Sequence, residues 1–348
     1  MKFLSKKILD LLNAAAILGL LISYLAPYVD PLDFWPISFF GLTFKFWLVL
    51  NVGLLLLWIF LRKKRWLYNG LFLLLGYSFI ARNIQFNTPK TSPSDIKVAS
   101  FNTAVQQVFS EGNTSESIDK YLADNDVDIA VLIEWLDKKG KISKKHFPHQ
   151  QFAELYAYRN QYNYGLKIVS KHKILHWERI KYNHITNNLA AFFDIDINGT
   201  VVRFVAVHLQ SNGISSKDYH KLVNVELDDE YKEYALDFVK SLRVPIQRRS
   251  IQTKTVLESI ENSPYPVVIL GDFNDTPQSF TYQQLKQGRK DAFTERGSGW
   301  GATYLKPFPM LRIDYILHDE ELQCTSYKCT REIRSDHALV QASFKIKE

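Results

Sequence analysis

The stretch VVILGDFNDTPQ, Val267 to Gln278, decides how this chain is read. Val267–Leu270 is a β-branched and leucine run set behind Pro264 and Pro266, the composition of a buried strand. Gly271 ends the run, and Asp272, Asn274 and Asp275 crowd the turn after it. A carboxylate and an amide two residues apart share a face if the strand persists that far. The competing reading is a strand followed by an ordinary Asx-rich turn. The rest of the chain weighs between the two.

Working outward, other apolar runs also end on polar residues. Ile96–Phe101 ends in Asn102, and Val127–Ile133 ends in Glu134. Leu189–Ile195 leads through Asn198-Gly199, a strong hairpin signal, into Val201–Val207, which ends in His208. Gly165–Ser170, Ile313–Leu317, Gln323–Tyr327 and Leu339–Ile346 read as further strands, with Asp314 inside one and Asp336-His337 just before the last. Ser115–Asp124 and Ile246–Ile260 carry helical periodicity. Asn212–Arg243 reads as a polar insertion, helical around Asp228–Ser241. Hairpin-paired strands mixed with helices predict an α+β fold with a two-sheet core.

These strand-end residues suit hydrolysis of a phosphate ester. A hard divalent cation needs oxygen ligands, which Glu134, Asn102 and Asp336 offer. Water needs a base, for which Asp272 is the candidate, and the phosphoryl oxygens need donors, for which Asn274, His208 and His337 are candidates. A carboxylate inside a strand needs a partner, and an Asp314–His337 pair would orient the imidazole. No sulfur–imidazole cluster suited to zinc is visible, so Mg²⁺ or Mn²⁺ is expected. Cys324 and Cys329 lie five apart; spacing alone does not establish a disulfide.

Taken in order, Ser100-Phe101-Asn102, Ile133-Glu134, Gly165 to Ser170, Val207-His208-Leu209, Gly271-Asp272-Phe273-Asn274, Arg312-Ile313-Asp314-Tyr315 and Ser335-Asp336-His337 resemble the endonuclease/exonuclease/phosphatase superfamily. This is the deoxyribonuclease-I-like group. The resemblance runs from Ile96 to the C-terminus, and the last three motifs are specific in combination. It implies a four-layer αββα sandwich and a Mg²⁺-dependent phosphohydrolase using one or two ions. By the same resemblance Glu134 is the principal metal ligand with Asn102 in its shell, and Asp336 is a further metal-site carboxylate. Asp272 activates water, Asn274 contacts phosphate, and His337, oriented by Asp314, contacts phosphate or acts as general acid. His208 matches a second histidine of the nuclease and sphingomyelinase branches. Ala104 departs from the pattern, standing where some nuclease members carry an acid, so the metal count stays open.

The N-terminus has another character. The whole formal net charge of +7 falls in residues 1–93, and the remainder is neutral, so the basic balance is no evidence for polyanion binding by the globular part. Leu11–Val29, Phe44–Leu61 and Trp66–Ala81 are apolar, and together they predict about three transmembrane helices. A signal peptide is the competing reading of the first, since Lys2, Lys6 and Lys7 precede it. Lysines before the first span and Arg62–Arg65 after the second put both in the cytoplasm, and three spans put everything after Arg82 outside. The expected organisation is an anchor over 1–86, a linker over 87–94 and a catalytic domain over 95–348. Lys138, Lys139, Lys141, Lys144 and Lys145 follow Glu134 closely and would suit a polyanionic backbone, or simply a solvated loop. The leading expectation is a membrane-anchored phosphodiesterase with an extracytoplasmic site, its partners a phosphodiester (nucleic acid, phospholipid or small phosphoester) and the lipid bilayer. No protein partner is inferred. The alternatives are an extracytoplasmic DNA or RNA endonuclease and a catalytically inactive membrane scaffold.

Overall fold

The computed structural model describes the chain apart from residues 1, 91–94, 105–113, 138, 159–161, 185, 215–217, 219–220, 222–228, 305–310 and 348. Part of the linker, part of the insertion and Lys138 therefore lie outside the described residues. Two compact units divide the chain. One gathers Met1–Arg82, Ser211–Ile251 and Asp275–Gln283, and the other gathers Asn83–Gln210, Gln252–Asn274 and Gln284–Glu348.

The second unit is built on strands β1 (Gln85–Phe86), β2 (Ile96–Asn102), β3 (Ile129–Asp137), β4 (His149–Tyr158), β5 (Tyr162–Ser170), β6 (Lys173–Ile180), β7 (Leu189–Ile197), β8 (Thr200–His208), β9 (Val267–Asp272), β10 (Lys290–Asp291), β11 (Ser298–Gly299), β12 (Asp314–His318), β13 (Leu322–Thr330) and β14 (Leu339–Ile346). Two six-stranded sheets result, ordered β13-β14-β2-β3-β5-β4 and β10-β12-β9-β8-β7-β6. Val98, Val131 and Ile133 of the first and Phe193, Phe204 and Leu270 of the second share one buried core, so the sheets pack face to face. The amphipathic helix Thr114–Asp124 buries Ile118, Tyr121 and Leu122 against Phe101, Leu132 and Trp135 on the outer side of the first sheet. This is the expected two-sheet α+β arrangement.

Each sheet contains one parallel pair, β2 with β3 and β8 with β9, and antiparallel pairs elsewhere. A parallel pair needs a crossover, supplied after β2 by the helix Thr114–Asp124 and before β9 by the helix Arg243–Ile260. Both members of a parallel pair end at the same edge. Register places His208 beside Asp272, and Asn102 beside Ile133, one residue before Glu134. The edge strands β4 and β6 were not legible as apolar runs. An edge strand buries fewer positions, and β6 alternates with mostly exposed side chains. Cys324 and Cys329 are both free thiols on β13. Five residues along a strand separate them by about 16 Å, too far for a disulfide.

The first unit revises the count of three membrane spans. Among the described residues, only Lys7–Leu25, 19 residues with a mean hydropathy of 2.0, is by itself long and apolar enough to cross a bilayer. A second crossing would need Pro36–Leu42 and Phe44–Phe60 together, and these meet at a bend of 62°. The third apolar segment is broken into Trp66–Leu75 and Tyr77–Ala81, so its ten-residue part spans only about 15 Å. The break falls at Gly76, where a Cβ would lie 1.9 Å from the Tyr24 hydroxyl that donates to the Phe72 carbonyl. The polar interruptions of these helices are their contacts. Asn51 Nδ2 donates to the Ala16 carbonyl, Asn69 Nδ2 to Asn51 Oδ1, and Trp58 Nε1 to Asn13 Oδ1. Arg65 pairs with Asp10 at 2.6 Å. Outward, Leu11, Leu18, Val49, Leu56, Phe60 and Leu74 are exposed, a larger apolar surface than an isolated soluble helix bundle normally leaves open. The same unit includes the inserted helix Asp229–Ser241. It also includes the start of the next helix, where Ser250 Oγ donates to Asp30 and Gln247 to the Pro31 carbonyl.

Candidate active site

Strand β9 runs two residues further than its apolar composition indicates, through Gly271 to Asp272. Gly271 is at φ +140°, and a Cβ there would lie 2.0 Å from the Val207 carbonyl oxygen, so only glycine lets β8 and β9 stay paired at this point. Asp272 ends the strand at 1% exposure. Asn274 does not continue the strand as a same-face neighbour. It turns into the left-handed region at φ +52° and folds back. Its backbone N–H donates to Asp272 Oδ1 at 2.8 Å, and its side-chain amide donates to Asp272 Oδ2 at 3.1 Å and to the Leu209 carbonyl at 2.9 Å.

Asp272 is where the site converges. Asn102 Nδ2, at the end of β2, donates to its Oδ2 at 3.0 Å. His337 Nε2 lies 3.8 Å and His208 Nε2 4.0 Å from the same oxygen. Burial, opposed by His337, reinforced by Asp314 and opposed by His208, raises the Asp272 carboxyl to about 6.

Asp314 faces Asp272 directly across the antiparallel β9–β12 pair. Two carboxylates 1% exposed and cross-strand from each other need positive charge between them. His337 supplies it, with Nδ1 2.9 Å from Asp314 Oδ2. Burial by itself would push the imidazole down, but Asp314 and Asp272, helped by Asp336, outweigh it and hold His337 up at about 10. The buried Oδ1 of Asp314 receives no hydrogen bond among the described residues.

Glu134 is set apart by its backbone. It sits at φ +55° inside an irregularity of the β3–β5 ladder between Leu132 and Trp135. Such bulges re-aim a side chain. The Thr103 hydroxyl, within 3.0 Å of the Ile133 and Glu134 carbonyls, holds the irregular backbone in place. The Glu134 side chain is about a quarter exposed, with Oε1 3.7 Å from His208 Nε2. Asp272, Asp314 and His337 bring ligand atoms within 4.8 Å of one another, and among the described residues neither Glu134 nor Asp336 joins that group. Asp336 is half-buried and enters through its charge on His337. The eight residues singled out in the sequence thus fall into a tight centre of Asp272, Asn274, Asn102, Asp314 and His337, a flank of His208 and Glu134, and Asp336 beside His337.

Sequence reasoning missed the supports. The Ser335 hydroxyl donates to the Asn102 carbonyl at 2.8 Å and accepts from the His337 N–H, tying two motifs together. The Thr303 hydroxyl accepts from the Ile313 and Asp314 N–H groups. Tyr164 is buried, and burial followed by the Glu134 charge pushes its hydroxyl far up, so it stays a neutral donor. It stands one residue before the Gly165 motif, and extending that motif by one position would have found it.

A family model described as the Endonuclease/Exonuclease/phosphatase family matches residues 99–337. The chain belongs to the endonuclease/exonuclease/phosphatase family. Members of this family hydrolyse phosphoester bonds, generally with a divalent metal. Residues 6–83 match a second model, described as a domain of unknown function, DUF8431. Among solved structures, an endonuclease/exonuclease/phosphatase from Beutenbergia cavernae shares the fold at TM-score 0.53 and 15% identity, over 73% of this chain and 72% of that one. A D. rerio TDP2 humanised by 14 mutations aligns at TM-score 0.52 and 17% identity, over 72% of this chain and 99% of its own. The human Nocturnin catalytic domain, solved with a bound sulfate anion, aligns at 0.50 and 14%, over 75% and 97%. No curated protein matches the chain.

Proposed function

We propose that this chain is a membrane-attached, divalent-metal-dependent phosphodiesterase. The observation that carries the reading is the pairing of opposites at the centre: a buried Asp272 with its basicity raised, held against a His337 kept protonated by Asp314. That separation of proton affinities is what a base and an acid working on one phosphate require. Asp272 takes the proton of the attacking water. His337 and His208 donate to the phosphoryl oxygens where charge builds, and Asn274, whose two amide hydrogens go to Asp272 and the Leu209 carbonyl, holds the base in place.

The groups gathered around Asp272 suit a hard cation: Asp314 lies within reach of it, Glu134 stands on its flank beside His208, and no thiol is among them. Glu134 and Asn102 would hold the ion, with Asp336 as a further carboxylate, and Mg²⁺ or Mn²⁺ would add positive charge at the scissile phosphate. Membrane attachment is supported by the Lys7–Leu25 helix and the exposed apolar side chains of its unit. With a cytoplasmic N-terminus, an odd number of crossings places the residues after Asn87 outside.

Detergent-purified full chain with Mg²⁺, assayed on bis-nitrophenyl phosphate, plasmid DNA and sphingomyelin, tests the reading. Chelator-sensitive hydrolysis is expected, and no hydrolysis of any diester would favour an inactive scaffold. Exposed Lys139, Lys141, Lys144 and Lys145 favour nucleic acid as a second reading, and preferential cleavage of plasmid would select it. A phosphatase fused after Asn87 should be active, and an inactive fusion overturns the extracytoplasmic placement.

A further inference from the structure

A second group of side chains of metal-ligand type lies away from the candidate active site. Glu295, His318 and Cys324 each present a ligand atom, and the three atoms lie within 4.8 Å of one another. They come from three elements: the short helix Ala292–Arg296, the last residue of β12, and β13. His318 and Cys324 are essentially fully buried, while the Glu295 side chain reaches partly to solvent. His318 lies four residues beyond Asp314 on β12, about 13 Å along the strand, so no ligand is shared with the catalytic centre.

His318 presents both ring nitrogens to acceptors. Nδ1 lies 3.0 Å from the Asp319 carbonyl oxygen and Nε2 lies 3.0 Å from Glu295 Oε2. Both partners are acceptors, and a neutral imidazole has one N–H to give. Two arrangements satisfy both nitrogens: an imidazolium paired with the Glu295 carboxylate, or a cation at Nε2 while Nδ1–H serves the carbonyl. The second is the usual arrangement of a metal-bound histidine, with a backbone carbonyl fixing the tautomer. The thiol lies beside it.

The supports are built for position. The β13–β14 ladder shifts register between Cys324 and Ser326, a bulge that re-aims the cysteine. Arg296 Nε donates to the Cys324 carbonyl, and the Asp291 carboxylate caps the helix that carries Glu295 while pairing with Arg312. The ring of His318 is braced edge-on by Phe344, with centroids 4.9 Å apart.

We propose that Glu295, His318 and Cys324 bind a zinc ion as a structural clip joining the Ala292–Arg296 helix to β12 and β13. One carboxylate, one imidazole and one thiolate are zinc ligands, and water from the solvent side of Glu295 completes four-coordination. This site is independent of the catalytic reading and differs from it in chemistry, because only here is sulfur a ligand.

The test uses the full chain in detergent. After growth with zinc and gel filtration, one equivalent of zinc per chain is expected, with one sulfur in its X-ray absorption fine structure. Replacing it by Co²⁺ should give a near-ultraviolet thiolate-to-cobalt charge-transfer band. Cys324→Ser should abolish the band, while Cys329→Ser and the catalytic change Asp272→Asn should keep it. Wild-type protein that takes up no thiolate-bound zinc or cobalt overturns the proposal without recourse to any variant. A band that survives Cys324→Ser, or zinc ligated by nitrogen and oxygen only, also overturns it.

Discussion

Replacing Asp272 by Asn keeps the shape of the side chain and removes its charge. The carboxylate accepts from Asn102 Nδ2, from the Asn274 amide and from the Asn274 backbone. Whichever way an Asn is turned, its NH₂ faces one of those donors, so at least one buried bond is lost, at about 1–3 kcal/mol. Against this, the fold is relieved of an unfavourable charge. A carboxyl raised from 3.8 to about 6 means that the ionised form costs the fold roughly 3 kcal/mol, at ~1.4 kcal/mol per pH unit. The two effects nearly cancel, so Tm should move little or rise. Activity should behave oppositely, since a positioned general base contributes about 10²–10⁴-fold. The assay is kcat on bis-nitrophenyl phosphate at saturating Mg²⁺ beside a melting curve on the same preparation. A variant within tenfold of wild type would refute the base assignment. A large fall in Tm with activity retained would make Asp272 a turn residue and nothing more.

The Asp314–His337 pair should act as a unit. His337→Ala should cost about 10²–10⁴-fold and Asp314→Asn less, with the double change little worse than His337→Ala alone; additive losses would separate the two roles. The rate should rise as Asp272 ionises near pH 6 and fall as His337 loses its proton toward about 10, and a profile flat from 5 to 7 in the metal-saturated protein would contradict the first limb. Stability follows the same histidine. Its folded pKa stands above the ordinary 6.5, so its contribution is complete below that pH and is lost as pH climbs to about 10. His337→Ala should flatten that alkaline decline of Tm. Glu134→Gln should raise the Mg²⁺ concentration giving half-maximal rate, and an unchanged requirement would remove Glu134 from the ligand set.

What the sequence determined by itself was local. Apolar runs that bury both faces announce β2, β3, β8, β9 and β14 directly, and a polar residue closing such a run marks where the strand runs out. Asn102, Glu134, His208 and Asp272 were readable for that reason, and Asp314 because a carboxylate inside a buried strand has no local explanation. The tertiary structure alone decided how those residues meet. The left-handed turn that swings Asn274 back onto Asp272, the bulge that re-aims Glu134 and the cross-strand pairing of Asp314 with Asp272 depend on backbone torsions and register. Hydrophobic periodicity does not encode these. The same holds for the apolar N-terminus, where composition promised three spans but the third is broken at Gly76, against which Tyr24 packs. It holds also for Glu295, His318 and Cys324, whose separation along the chain hid a cluster that only the folding of one helix and two strands assembles. Periodicity records how deeply each residue is buried; which buried residues become neighbours is fixed by pairing across the sheets.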